Sequence, residues 1–532
     1  MPTIFKSMKK LVKPKLKSFL IFLSLFFTLL IPIFSNSIII QTKAADAEQV
    51  DYIFSNANII TVDEANPLEE AIAIKDGKIH AIGSSEEILA KYYTDEGNTL
   101  HSNDHTIMPG LIDGHTHLMW SANYGGFETL QGAQSIAMAF GYTTLNEKGA
   151  DGWDRDIQPL LDIEAAGELR IRLNVFPIYN LAFLDENNES INVERWYPDR
   201  GPILDPGRKF RVPGIKIYSD GAYGNRGLPA MSVPYTPEQL EAFMGTSVYG
   251  DLYMNQSTLN AVVKTIHDKG FSCAFHSMGD RSTETVLNAI EYALDGETND
   301  NYRHQIEHNS FIREDLIAQA QSLNTIHSVR GYFPTYWQVE YAELFNETVL
   351  EWYVNRYSLP SEGLHAYLET DFTWEVYDDD DLSGSRNIKP FLHMWGLVTR
   401  KSIDHNGTIH TPLPWLAEHT ISVEQALKMM TLEGAYAVKQ EDYLGSLEAG
   451  KFADLIVISD DPLTINHDEI KDIEVYLTMI NGTIEYQNPA HSIFSELGNT
   501  AVFGPSVGLV MISMIFGFLL ILGMTVLKKK SK

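Results

Sequence analysis

The stretch TIMPGLIDGHTHLMW, residues 106–120, decides how this chain is read. It is apolar enough for a buried strand, yet it carries His115 and His117, one residue apart. Side chains alternate along a strand, so these two imidazoles share a face, with their bases about 7 Å apart. Two histidines on one face are either satisfied core residues or a pair of metal ligands. The rest of the chain has to separate those readings.

Outward from this stretch, short β-rich runs alternate with longer helical patterns. The runs are TIMPGLIDGHTHL, YTTLNE, RIRLNVFPIY, GIKIYSDG, SCAFHSM, HQIEH, TIHSVRG and GLHAYLETD. Stretches such as TPEQLEAFMG and STETVLNAIEYAL lie between them and have helical spacing. Eight β/α units predict an α/β fold, a (β/α)8 TIM barrel over 107–439, with chemistry at the C-terminal ends of its strands. A doubly wound open sheet is the alternative. The flanks, 48–106 and 440–488, break into short strands around the turns Asp76-Gly77 and Asn481-Gly482. They are expected to pair into one composite β-sandwich domain. The segment SVEQALKMMTLEGAYAV (422–438) reads as one amphipathic helix.

The strand ends carry a coherent set of side chains. His115 and His117 close the first run, Lys216 lies in the fourth, His276 in the fifth, His308 ends the sixth and Asp371 the eighth. On a barrel they would converge on one mouth, and imidazole with carboxylate suits Zn²⁺ and its neighbours. That company favours ligands for the opening pair.

These motifs also resemble a known family. PGLIDGHTH, IKIYSDGAYGNRG, FHSMGDR, RHQIEH and GSLEAGKFADLIVISDDPL are similar to the amidohydrolase superfamily, most of all to its amidohydrolase-3 branch, which includes the N-substituted formamide deformylases. The resemblance covers about residues 50–487. It implies that His115 and His117 bind one divalent metal, with Zn²⁺ the first choice. Lys216, carboxylated by CO₂, would bridge to a second metal on His276 and His308. Asp371 would touch the first metal and shuttle the proton. Arg281, in GDR, is a second candidate catalytic residue that would orient substrate or outer groups, while Arg226 reads rather as structural. The expected reaction is hydrolysis of a non-peptide C–N bond of amide type in a small molecule, by metal-activated water. Cyclic amide, ester and deaminase-type substrates are alternatives, and so is a catalytically silent surface binding module. The chain departs from the family at SVRGYFP, where Arg330 and Gly331 replace the usual Gln-Pro, and at TDFTW, which lacks the usual proline. Trp120, Tyr223, Tyr332, Tyr336, Trp337 and Trp374 follow strand ends and suggest an aromatic pocket wall.

Composition narrows the partners. The 532 residues carry a net charge of −30 even though ten lysines cluster in the terminal segments, so the body is more acidic still. Such a body repels a phosphate backbone, which argues against nucleic acid. A homo-oligomer is compatible with everything in the sequence. With Cys273 alone, no intrachain disulfide can form. Residues 1–47 read as a secretory signal peptide, and 503–527 as a transmembrane helix followed by a basic cytoplasmic tail, 528–532. This predicts a single-pass cell-membrane protein with its catalytic domain extracytoplasmic. Sequons at Asn188, Asn255, Asn346, Asn406 and Asn481 fit that placement.

Overall fold

In the computed structural model the deciding stretch forms two strands. The structure describes residues 47–490, apart from 96–97, 102–104, 120–129, 150–156, 180–200, 223–226, 332–334, 336, 358, 373–387 and 405–406. Thr106–Pro109 ends at Gly110, and β1 (Leu111–Thr116) starts directly after it. A Cβ on Gly110 would sit 2.2 Å from the Thr143 side chain, so the chain passes here only with glycine. Thr106–Pro109 pairs antiparallel with Leu455–Ile458 and parallel with Asn58–Ile60. It belongs with the flanks, and the boundary expected at 106/107 falls at Gly110.

The other seven expected strands form where their apolar, β-branched runs lie. They are β2 (Tyr142–Glu147), β3 (Arg172–Val175), β4 (Gly214–Tyr218), β5 (Ser272–Ser277), β6 (Gln305–His308), β7 (Ile326–Arg330) and β8 (His365–Glu369). Pairing is parallel and in chain order from β1 to β3, and again from β4 to β8. Backbone bonds link the two groups at both edges. Lys216 N donates to Pro177 O and Tyr179 N to Lys216 O, each at 2.8 Å. At the other edge Asp371 N donates to His115 O at 2.9 Å, and His117 N to Phe372 O at 2.5 Å. Helices such as Gln256–Asp268, Asp280–Leu294 and Glu314–Leu323 separate the strands, which makes the class α/β.

The 422–438 segment differs from expectation. It forms two helices, Val423–Met429 and Leu432–Ala437, broken at Thr431. The Met430 carbonyl accepts from Ile112 N at 2.8 Å in β1, and the second helix then packs on the strands. Asn146 Nδ2 donates to Gly434 O at 3.3 Å and Gln305 Nε2 to Ala437 O at 2.7 Å. Periodicity alone does not reveal a carbonyl recruited by a distant strand.

The flanks build two sheets. One has four strands in the order Lys78–Gly83, Ala71–Lys75, Tyr52–Ser55, Thr99–His101. The other has six, in the order Thr483–Gln487, Val475–Ile480, Leu455–Ile458, Thr106–Pro109, Asn58–Ile60, Leu68–Glu69. Residues from both ends of the sequence thus share one sheet. Asp76 and Asn481 both have φ 52°, each followed by a glycine at positive φ, as tight hairpin turns require. A Cβ on Gly482 would lie 2.8 Å from Gly77 Cα, so the two turns pack against each other.

Among the sequons, Asn255 and Asn346 are helix N-caps whose side chains accept from Thr258 N and Val349 N. Asn481 serves its turn, while Asn188 and Asn406 lie outside the described residues. So do residues 1–46 and 503–527, on which the secretory and transmembrane expectations rest. Among the described residues, no helix is long and apolar enough to cross a membrane.

Candidate metal centre

Strand alternation is interrupted at the point that matters. In β1, Ile112 packs with Ala435 and Leu444, and Gly114 faces the Tyr367 ring of β8. The register then shifts between Asp113 and Thr116, which turns His115 and His117 toward the same interior. Asp113 anchors the shift. It accepts from His115 N at 3.3 Å, from Thr370 N at 3.2 Å and from Thr370 Oγ1 at 2.6 Å. Burial raises its carboxyl to about 7, against those hydrogen bonds. A Cβ on Gly114 would lie 2.0 Å from Tyr367 Cδ2. Gly114→Ala should therefore destabilise the fold by about 1–3 kcal/mol, as overpacking does. Denaturant unfolding measures this, and an unchanged midpoint would show that the ring yields freely.

His115, His117, Lys216, His276, His308 and Asp371 are all buried. His115 Nε2 lies 3.3 Å from His117 Nε2 and 3.4 Å from Asp371 Oδ1, and His117 Nε2 lies 3.2 Å from that oxygen. Three donor atoms this close, on three buried residues, could hold a metal ion. The rings of His115 and His308 are 4.8 Å apart, and those of His276 and His308 are 4.7 Å apart. One continuous cluster therefore joins β1, β5, β6 and the end of β8.

The other ring nitrogens show how the imidazoles are held. His115 Nδ1 lies 2.7 Å from Glu307 Oε2, His308 Nδ1 lies 3.1 Å from Glu369 Oε1, and His117 Nδ1 lies 3.3 Å from Gly149 O. A proton on each Nδ1, donated to its acceptor, puts a lone pair on each Nε2, the form of imidazole that binds metal. Glu307 and His308 are adjacent, and alternation should send them to opposite faces. His308 has φ 68°, a left-handed backbone that brings both into the cluster. Asp371 has φ 50°. Strained backbone at two such residues is typical of functional positions.

Electrostatics agree. Burial, then the Lys216 charge, holds His115 well below the ordinary imidazole range, and burial lowers Lys216 itself. Burial alone would raise Asp371, but the Arg330 guanidinium and His117 outweigh it and keep the carboxyl well below its usual range. Arg330 bonds Asp371 Oδ2 through Nη2, and its Nε donates to Glu369 Oε1 at 2.9 Å. Lys216 Nζ and His276 Nε2 are buried without a hydrogen-bond partner. An amine and an imidazole nitrogen orphaned beside three gathered donor atoms fit a centre that takes metal.

The sequence model of the amidohydrolase family, in its amidohydrolase-3 branch, matches residues 129–486. The chain belongs to this family. The match starts after His115 and His117, so the first-strand pair stands on the geometry above. The chain is 25% identical over 307 residues to a Bacillus subtilis protein named amidohydrolase YtcJ, covering 56% of this chain and 50% of that one. It is 23% identical over 286 residues to the N-substituted formamide deformylase of Arthrobacter pascens, covering 52% and 46%. The chain thus spans about half the length of these relatives. Among solved structures, a metal-dependent hydrolase from Pyrococcus horikoshii OT3 superposes with TM-score 0.59 at 17% identity, over 78% of this chain and 99% of its own. Molinate hydrolase does so with TM-score 0.56 at 15% identity, over 84% and 97%. At these identities the likeness concerns the fold.

In this family member, not every expected site residue is seen at the centre. Arg281 starts the helix Asp280–Leu294, and its Nη2 donates to Tyr249 O at 3.0 Å. Its other guanidinium contacts among the described residues are Gly250 O and the Tyr249 ring, and none is with a cluster residue. Trp337 is 37% exposed, while Trp120, Tyr223, Arg226, Tyr332, Tyr336 and Trp374 lie outside the described residues. Conversely, Glu307, Glu369 and Lys148 escaped sequence reading. Lys148 Nζ donates to Gln305 Oε1 at 2.6 Å and lies 3.3 Å from Glu307 Oε1. The available signal was parity: Glu307 and Glu369 sit two residues from Gln305 and Tyr367, whose side chains meet inside the strands. Removing the acceptor of a ligating histidine typically costs 10–100-fold in metal affinity. Glu307→Ala should weaken zinc binding by about that factor in competition with a chelator.

Proposed function

We propose that the protein is a metal-dependent hydrolase that cleaves a non-peptide C–N bond of amide type, and that its eight strands form a (β/α)8 barrel with the centre at their C-terminal end. The observation that carries this reading is the approach of His115 Nε2, His117 Nε2 and Asp371 Oδ1 to within 3.4 Å of one another. His115, His117 and Asp371 would hold one divalent ion, with Zn²⁺ the natural choice for this donor set. His276 and His308 would hold a second, with Lys216, as its carbamate, between the two. For that, the neutral Lys216 amine adds CO₂ and loses a proton. Burial without a partner supports this chemistry, because it favours the uncharged amine. Bound metal supplies Lewis acidity toward a carbonyl oxygen and toward water.

The side chains do the rest. Asp371 keeps an unprotonated carboxylate at the centre, with Oδ2 held by Arg330 and Oδ1 toward the two histidines. It takes a proton from the attacking water and returns it to the leaving nitrogen. Glu307 and Glu369 fix the imidazole planes, and the buried surroundings exclude competing solvent. The test is metal analysis of the purified chain together with a hydrolysis screen over N-formyl, N-acyl and cyclic amides with Zn²⁺ supplied. One or two metal equivalents and turnover of an amide are expected. A metal-free protein that metal does not activate would refute the reading.

We propose further that 1–47, of which only Ala47 is among the described residues, is a secretory signal and that 503–527 anchors the chain with its body extracytoplasmic. The lysines after residue 527 support that orientation.

A further inference from the structure

Two buried arginines, one of them in contact with His308, have no carboxylate at ion-pair distance among the described residues. Arg356 follows the helix Glu347–Asn355, and Arg400 follows Pro390–Thr399. They are 2% and 0% exposed. Arg356 Nη1 reaches the His308 carbonyl at 3.5 Å, and Arg400 Nη2 donates to Leu397 O at 2.9 Å. Among the described residues, Arg356 Nε and Nη2 and Arg400 Nε and Nη1 are buried without a well-formed hydrogen bond, as is the Tyr353 hydroxyl, although the Tyr357 side chain lies close enough to Arg400 to stabilise its charge. Among the described residues neither guanidinium has a carboxylate at ion-pair distance. The surrounding groups are aromatic instead. Arg356 Cζ lies 4.3 Å from the Tyr353 ring centre and 4.9 Å from that of Tyr357, and Arg400 Cζ lies 3.9 Å from the Tyr357 ring centre.

Ring faces stabilise a cation only partly, and two guanidiniums buried side by side repel each other. Burial lowers Arg400 to about 10, so it remains charged at neutral pH. Buried donors are nearly always satisfied, and here four guanidinium nitrogens are not. The planar fork of a guanidinium matches the two oxygens of a carboxylate. Through Arg356 this positive site touches the backbone carbonyl of His308, a member of the histidine cluster.

We propose that Arg356 and Arg400 form a carboxylate subsite of the active centre, so that the substrate is an amide that also carries a carboxylate. This rests on the hydrolase reading above and narrows its substrate class. The carboxylate would satisfy the orphaned guanidinium donors and hold the scissile amide against the cluster.

The test uses the zinc-loaded full chain and two matched pairs. N-Acetylglycine is compared with its neutral isostere N-isobutylacetamide, and succinamate with 4-methylpentanamide. Binding is measured by calorimetry and turnover by amine or ammonia release. At least one acid should bind about tenfold or more tightly than its isostere. Arg356→Gln and Arg400→Gln should each erase that preference, and Arg356→Lys should keep part of it. If neither acid is preferred by the wild-type chain, the subsite is wrong, whether or not the variants fold. Amide turnover without acid preference would overturn the subsite alone. Acid preference that is lost in the variants, without turnover of any amide, would support the subsite and count against the hydrolase.

Discussion

Asp371→Asn should retain metal and lose about 10²–10⁴-fold in kcat, the range over which a positioned proton-transfer group contributes. Asparagine has nearly the same shape and keeps an oxygen toward His115 and His117. It cannot take a proton, and its neutral amide gives up the ion pair that Asp371 Oδ2 makes with Arg330. Arg330 stays anchored through Glu369, so the surroundings should not collapse. Steady-state kinetics paired with metal analysis separates the outcomes. A variant within a few-fold of wild type would remove Asp371 from proton transfer. Loss of metal together with activity would make it chiefly a ligand.

Lys216→Ala has the second large effect. Lys216 is buried on β4, in register with Ala274 of the next strand, and among the described residues its Nζ has no hydrogen-bond partner. If its carbamate joins two ions, alanine removes an anionic ligand from both. The bound metal should fall by one equivalent, and activity should drop by at least about 10²-fold, the upper end of what loss of an outer-shell partner alone costs. An unchanged metal content with near-normal turnover would show that the amine has another purpose.

These residues were legible because chemistry at strand ends leaves a trace in sequence. His115, His117, Lys216, His276, His308 and Asp371 each interrupt or close an apolar run, and the structure gathers five of them by direct ring or donor-atom proximity, with Lys216 near enough to feel the Glu307, Asp371 and Glu369 charges. What stayed hidden depended on register. An apolar run gives no sign that Gly110 divides it between two sheets, because the reason is a Thr143 side chain more than thirty residues away. The alternation argument for His115 and His117 holds, but the register shift after Asp113 decides which way they face. Glu307 and Glu369 look like ordinary charged residues until His308 adopts its left-handed backbone and the two edges of the strand array meet. Arg330 was visible as a departure from the family pattern. That it grips both Asp371 and Glu369 was not, since those partners lie on the neighbouring strand and just past its end. Arg356 and Arg400 belong to helix ends that carry no motif, so only burial reveals them.

The most direct measurement is anomalous diffraction at the zinc edge from crystals of the zinc-loaded protein. The account predicts a peak bounded by His115 Nε2, His117 Nε2 and the Asp371 carboxylate. It also predicts added density on Lys216 Nζ that leads toward His276 and His308. Absence of any peak among these residues, with zinc bound elsewhere or not at all, would contradict it.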